Sequence, residues 1–301
     1  MRRSCIVLLS ALLVVACRER PADRDREADR RRESRASRAA SEELVIRQTI
    51  ALTNQTALRL DLEYAAGRLD VEPASDGVLA ELDLRFSSEE HRPTIDFDST
   101  STSPTLWIHS PKRRNDNVDL DRLRDNHWRL KLSPQIPITF DIEGGAFDAL
   151  LDFSGLKVAN LNLDVGAGEL DIEFREPNPE TPNLRINSGA ASIDARGLCY
   201  ANFRSFIFNG GAGKSDLSFD GDYQGEGEVE MNFGVGVNSV ELSRALGVRV
   251  RKEGSFLSPI SLRDFIKQGD TYYSENYDTA QSKLDFYIKM GVGHTSIRWI
   301  K

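Results

Sequence analysis

A Gly-Ala-Gly signature recurs along this 301-residue chain, each copy set among alternating apolar residues. It is clearest where Leu161, Leu163 and Val165 precede Gly166-Ala167-Gly168, and Leu170, Ile172 and Phe174 follow. Related copies are centred on Gly145-Ala146, Gly189-Ala190-Ala191, Gly211-Ala212-Gly213 and Gly234-Val235-Gly236. More distant ones are Ala65-Ala66-Gly67 and Gly291-Val292-Gly293. The five central signatures begin at 145, 166, 189, 211 and 234, so the spacings are 21, 23, 22 and 23. A period of about 22 residues marks a stacked repeat, in which each unit buries its apolar face only against its neighbours. Chains of this kind are usually scaffolds or binding surfaces.

The alternation constrains the unit further. Leu161, Leu163 and Val165 line one face of a strand, because successive side chains point to opposite faces. Leu170, Ile172 and Phe174 alternate on the opposite parity, so an unbroken strand would turn them to the wrong face. The glycine segment must therefore bend the chain or insert a bulge, which glycine permits by accepting positive φ and close backbone approach. The same switch occurs between Phe206, Phe208 and Leu217, Phe219, and between Leu284, Phe286, Ile288 and Ile297, Trp299. Asp164, Asp171 and Glu173 take the outward positions. A solenoid coil with a glycine corner and a hairpin with a glycine turn both satisfy this pattern. The regular period favours the solenoid.

Length and composition are those of an all-β chain: 301 residues, 22 glycines, and Val, Ile, Leu and Phe in short alternating runs. One helical period is present, at Leu262, Phe265 and Ile266 after Ser258-Pro259, with Gly269 as C-cap, and predicts a single short helix. The N-terminal segment 1–16 reads as a signal peptide. Arg2 and Arg3 precede an apolar run, Ile6 to Ala16, that is short of the ~20 residues of a bilayer span. That run ends Val14-Val15-Ala16-Cys17, which resembles the bacterial lipobox and makes Cys17 the expected lipid-attachment site. Arg18 in place of Asp resembles the pattern sent on to the outer membrane. Residues 17–44 then form a lipidated cysteine and charged tether. From Arg18 to Glu43 nine arginines interleave with eight acids and no large apolar residue, too polar to fold alone. The formal charge is −8 overall, and an acidic folded body argues against a nucleic-acid partner. Cys5 lies in the leader, so only Cys199 remains in the body, beside Leu198 and Tyr200, as a small buried hydrophobe.

The body divides into an N-terminal β section at 45–133 and a repeat section at 134–301. The segments ALRLDLEYAAGRLDVEP (57–73), WRLKLSPQIPITFDIEGGAFDALLDFSGLKVANLNLDVGAGELDIEF (128–174) and NYDTAQSKLDFYIKMGVGHTSIRWI (276–300) carry a resemblance. Together they resemble the toast-rack β-repeat family of bacterial envelope proteins, related to the C-terminal domain of LiaF-type proteins, over about residues 45 to 301. The resemblance implies a single-stranded, right-handed β-helix-like solenoid with ~22-residue repeats and no established catalytic centre. It also implies adhesin-like or envelope-stress roles. Phe147 replaces the third small residue of its corner and Ala191 replaces a glycine, which puts those single corners, not the fold, in question.

Candidate chemistry is sparse. Asp164 with Asp171, and Asp141 with Asp148, could be read as the carboxylate pair of a glycoside hydrolase, but such acids follow the repeat period as solubilising ladders do. Asn115, Asp116, Asn117, Asp119 and Asp121 form an oxygen-rich loop without the central glycine of a calcium loop. His91, His109, His127 and His294 lack ligand spacing. No P-loop, dinucleotide fingerprint or nucleophile motif occurs. We therefore expect no catalytic site, no metal and no cofactor. The expected molecule is a non-enzymatic, lipid-anchored bacterial cell-envelope protein, favoured in the outer membrane. It would touch the membrane through Cys17 and present its β surface to an envelope protein or glycan. A LiaF-like modulator acting on a membrane sensor and an envelope polysaccharide-cleaving enzyme are the alternatives.

Overall fold

The computed structural model describes residues 44–111, 125–253 and 258–300. Its repeat unit is one long strand. These strands are β2 (Leu58–Pro73), β7 (Pro137–Asp152), β8 (Lys157–Glu173), β9 (Asn183–Arg196), β10 (Ser205–Phe219), β11 (Glu226–Leu242) and β16 (Lys283–Trp299). They pair in parallel in the order β2-β7-β8-β9-β10-β11-β16. The corners align: Ala66 pairs with Ala146, then Ala167, Ala190, Ala212, Val235 and Val292.

Length arithmetic shows that each strand doubles back at its corner. The 16 residues of β7 would span about 53 Å if straight, at about 3.3 Å per residue. The connection 153–156 into the parallel β8 reaches at most about 18 Å. A straight β7 could not be followed so soon by an in-register parallel neighbour. Each coil is therefore two arms folded over a shared core, which decides for the solenoid over the hairpin.

The parity switch is realised as the sequence requires. On β8, Leu161, Leu163 and Val165 of the first arm and Leu170 and Ile172 of the second are all buried in one cluster. Gly67, Gly168, Gly213 and Gly293, the third corner residue of their coils, have φ of 125°, 145°, 142° and 128°. That conformation favours glycine. Phe147 and Ala191 occupy the same position without positive φ, and the corner survives at both. At Phe147 the β7–β8 ladder is interrupted, and the buried ring packs edge-on against Tyr64 at 5.5 Å. Aromatic side chains stack from coil to coil inside, as in Phe140–Phe153–Phe174 at 5.0 and 5.2 Å.

Two insertions cover the ends. Between β2 and β7 lie β3 (Val78–Phe86), β4 (Thr94–Phe97), β5 (Thr105–His109) and β6 (His127–Leu132). β5 extends the first arm of β2 and β6 the second, while β4 and β3 add on antiparallel, with β1 (Leu44–Ala51) beyond β3. Between β11 and β16 lie β12 (Gly247–Glu253), β13 (Ile260–Leu262), β14 (Ile266–Gln268) and β15 (Thr271–Tyr273). β12 and β13 flank the two arms of β16, so β16 is inserted between β11 and an earlier stretch of chain. The expected helix at 262–269 is not formed. Leu262 pairs with Ile297, Asp264 takes φ 61°, and Ile266 is exposed in a hairpin whose turn contains Gly269 at φ 61°. Leu262 joins β16 as a short strand, Phe265 stacks its ring on Trp299 of β16, and Ile266 pairs with β15, so strand pairing outweighs a weak local helical preference.

Candidate functional site

In-register stacking places like residues of successive coils in columns. The residue two before each corner glycine forms one such column: Glu143, Asp164, Asn187, Asn209, Asn232 and Lys289. Three of its members are amides linked head to tail. Asn187 Nδ2 donates to Asp164 Oδ1 (2.5 Å), Asn209 Nδ2 to Asn187 Oδ1 (2.7 Å) and Asn232 Nδ2 to Asn209 Oδ1 (2.9 Å). Beside the ladder runs the column of first corner glycines. A Cβ on Gly166, Gly189, Gly211 or Gly234 would lie 2.4, 2.5, 2.2 or 2.2 Å from the carbonyl oxygen of the preceding coil's glycine. Only glycine lets the coils stack this closely, and the missing side chains leave an open trough of about 720 Å³. Gly144, Val165, Ser188, Gly210 and Phe233 also line it.

The trough is fitted for repeated polar contacts. A carboxamide offers two N–H donors and two acceptor lone pairs. Asn209 spends one of each on the ladder, leaving the other pair for a ligand. Asn187 repeats this pattern on the adjacent coil, about 4.7–4.9 Å away, whereas Asn232 gives its second N–H to Glu230 Oε1 (2.8 Å) and keeps its carbonyl oxygen for a ligand. Carboxylates (Glu143, Asp164) stand at one end and a cation (Lys289) at the other.

Residues 38–196, over half of the chain, match the family model described as "N-terminal domain of toast_rack, DUF2154". The chain belongs to the toast-rack family. The chain is also similar to solved structures. A candidate cell adhesion protein from Clostridium sporogenes ATCC 15579 is 18% identical, with TM-score 0.48, covering 86% of this chain and 100% of that one. A candidate adhesin from Bacteroides fragilis NCTC 9343 is 11% identical, with TM-score 0.34, covering 86% and 99%. No curated protein matches in sequence.

This toast-rack chain does not bring its other sequence-level candidates into a catalytic centre. Asp164 and Asp171 lie on opposite arms of β8, the first tied to Asn187 and Asn162 and the second 4.0 Å from Arg196. Asp141 pairs with Arg59 at 2.6 Å, and Asp148 accepts the Glu169 backbone N–H. Each paired histidine has a local structural partner: His109 bonds Asp61, His127 bonds Asp70 (2.7 Å), and His91 bonds Ser87 and Ser88. His294 lies in register with Val237 on β11. Among the described residues no group of three or more His, Cys, Asp or Glu could hold a metal. Cys199 is buried, its thiol facing the Phe219 carbonyl at 3.3 Å, and burial pushes its pKa far up, which suits packing and not nucleophilic attack. Cys17 and the 115–121 loop lie outside the described residues. No helix among the described residues is long and apolar enough to cross a membrane.

The amide ladder itself escaped the sequence reading, which concentrated on carboxylates. Its signal was present: Asn187, Asn209 and Asn232 each stand two residues before a corner glycine. Aligning the repeats on the corner, and not on the apolar residues, exposes it.

Proposed function

We propose that this toast-rack protein is a non-enzymatic, lipid-anchored component of the bacterial cell envelope that binds an extended envelope partner along its trough. The observation that carries this reading is the ladder of Asn187, Asn209 and Asn232 over the glycine column. It presents a row of amides along the solenoid, with free N–H donors on Asn187 and Asn209 and a free carbonyl oxygen on Asn232. A catalytic pair needs unique placement and environments that separate two pKa values, whereas this array repeats. Cys17 would hold the body at the membrane through lipid, with the charged segment as tether.

The test is co-sedimentation of the purified chain with isolated envelopes, wild type against Asn187→Leu/Asn209→Leu/Asn232→Leu. These side chains project outward at the corner, so the coil core is spared. We expect the triple variant to fold and to lose at least about tenfold in envelope binding, as removal of a central patch does. Unchanged binding by a folded triple variant would remove the trough as the binding face. Glycan turnover lost with a single Asp→Asn change would instead establish an enzyme.

A further inference from the structure

The C-terminal insertion builds a second concavity, remote in sequence from the trough. Three stretches converge on it: Arg244 after β11, Ser274 to Thr279 after β15, and Asp264 with Trp299 where β13 meets the end of β16. Its volume is about 390 Å³, within the range of small-molecule sites. Trp299 is its apolar wall. At the same register position of the neighbouring coils, Phe219 and Leu242 are buried, whereas Trp299 is only partly covered. The Phe265 ring stacks on the indole at 5.0 Å and 21°, and Phe265 does not line the cavity. One face of the indole is thus taken by Phe265, and the partly exposed Trp299 side chain lines the cavity.

The walls are held in place by their own hydrogen bonds. Buried Ser274 accepts the Val248 N–H through Oγ at 2.8 Å, tying the loop to β12. Asn276 Nδ2 donates to the Arg244 carbonyl at 3.2 Å, and Thr279 Oγ1 to the Asn276 carbonyl. The indole N–H points to the carbonyl of Asp264 at 3.4 Å. Asp264 is one of two non-glycine residues at positive φ among the described residues, a strained conformation of the kind that gathers at binding sites. Against this fixed frame, the guanidinium of Arg244 and the carboxylates of Asp264 and Glu275 have no hydrogen-bond or ion-pair partner among the described residues.

That set of groups selects a ligand class. An apolar ligand would strip water from three charges without replacing it. An anion would meet two carboxylates against one guanidinium, and a cation would face Arg244. A pyranose ring has a flat C–H face for the indole and a rim of hydroxyls that both donate and accept. Acceptor-only carboxylates and a donor-only guanidinium can each serve such a rim. We infer that the Trp299 cavity is a subsite for a neutral hexopyranose unit of a glycan. The inference does not depend on the trough, and the two sites can fail separately.

The experiment is saturation-transfer NMR and calorimetric titration of the purified full chain. The probes are hexasaccharides of β-1,4-glucose, β-1,4-N-acetylglucosamine and α-1,4-glucose. We expect binding of at least one, weakened about tenfold or more by Trp299→Ala and by Glu275→Gln. Glu275 is exposed, so its variant isolates the ligand contact should Trp299→Ala disturb the fold. Asn187→Leu/Asn209→Leu/Asn232→Leu should bind the sugar normally. No binding to any of the three probes overturns the subsite, as does binding that both cavity variants leave unchanged. Sugar binding lost only in the Asn variant moves the glycan to the trough and likewise overturns it.

Discussion

Coil stacking at the corners can be separated from backbone strain by comparing two glycines. Gly213 and Gly225 both have positive φ, 142° and 94°. A Cβ on Gly213 would lie 1.9 Å from the carbonyl oxygen of Ala191 in the preceding coil, whereas one on Gly225 would meet nothing within 4 Å. Alanine at Gly225 thus incurs strain alone, about 1–3 kcal/mol. Alanine at Gly213 incurs the same strain plus an overpacking cost of about 1–3 kcal/mol, because the clash is with backbone that cannot rotate away. The sum is about 2–6 kcal/mol, and at about 2–4 °C per kcal/mol for a body of this size the extra loss centres near 6 °C. Differential scanning calorimetry of Gly213→Ala and Gly225→Ala against wild type measures it. Equal melting temperatures for the two variants would refute the claim that coils touch through their glycine backbones.

Other outcomes follow from the same geometry. Val165→Asp puts a charge into the core and should cost several kcal/mol, whereas exposed Asp171→Asn should be near neutral by chemical denaturation. Asp164 is not the silent control its outward parity suggests, because it accepts hydrogen bonds from Asn187 and Asn162. Burial opposes the charge of Asp70, but hydrogen bonds from His127 and Arg68 outweigh it and hold the carboxyl below its ordinary value. A depressed folded pKa contributes stability that is present above the unfolded value and lost as pH falls through the folded one. Asp70→Asn should therefore flatten the fall in stability below the ordinary value of 3.8, and an unchanged acid slope would count against the His127–Asp70–Arg68 cluster. Cys17→Ala should abolish incorporation of radiolabelled palmitate; absence of label from the wild-type protein would dismiss the anchor.

The inward columns were legible because a period of two allows only one set of residues on the core face. Leu161, Leu163, Val165 and the shifted Leu170 and Ile172 needed no more than that rule and the glycine between them. Topology was less legible. β16 carries the repeat pattern, but nothing in the pattern says that it stacks on β11 inside β12 and β13, since every coil presents a similar edge. At 262–269 the local sequence allowed a helix, and pairing of Leu262 with Ile297 overrode it. The trough was hidden because Asn is polar at a polar position; its meaning arises only when Asn187, Asn209 and Asn232 are stacked by register.

That register is the claim on which the trough stands, and cysteine pairing tests it directly. Asp171 and Asp194 are register partners on β8 and β9. Side-by-side residues of adjacent strands fall within the Cα separation a disulfide accepts. Asp171→Cys/Asp194→Cys should cross-link on mild oxidation, leaving buried Cys199 free. Asp164→Cys/Asp171→Cys, which a glycine hairpin would bring together but which here lie on opposite arms of one coil, should stay reduced. The reverse result, a bond between 164 and 171 and none between 171 and 194, would contradict the stacked coils and the trough they form.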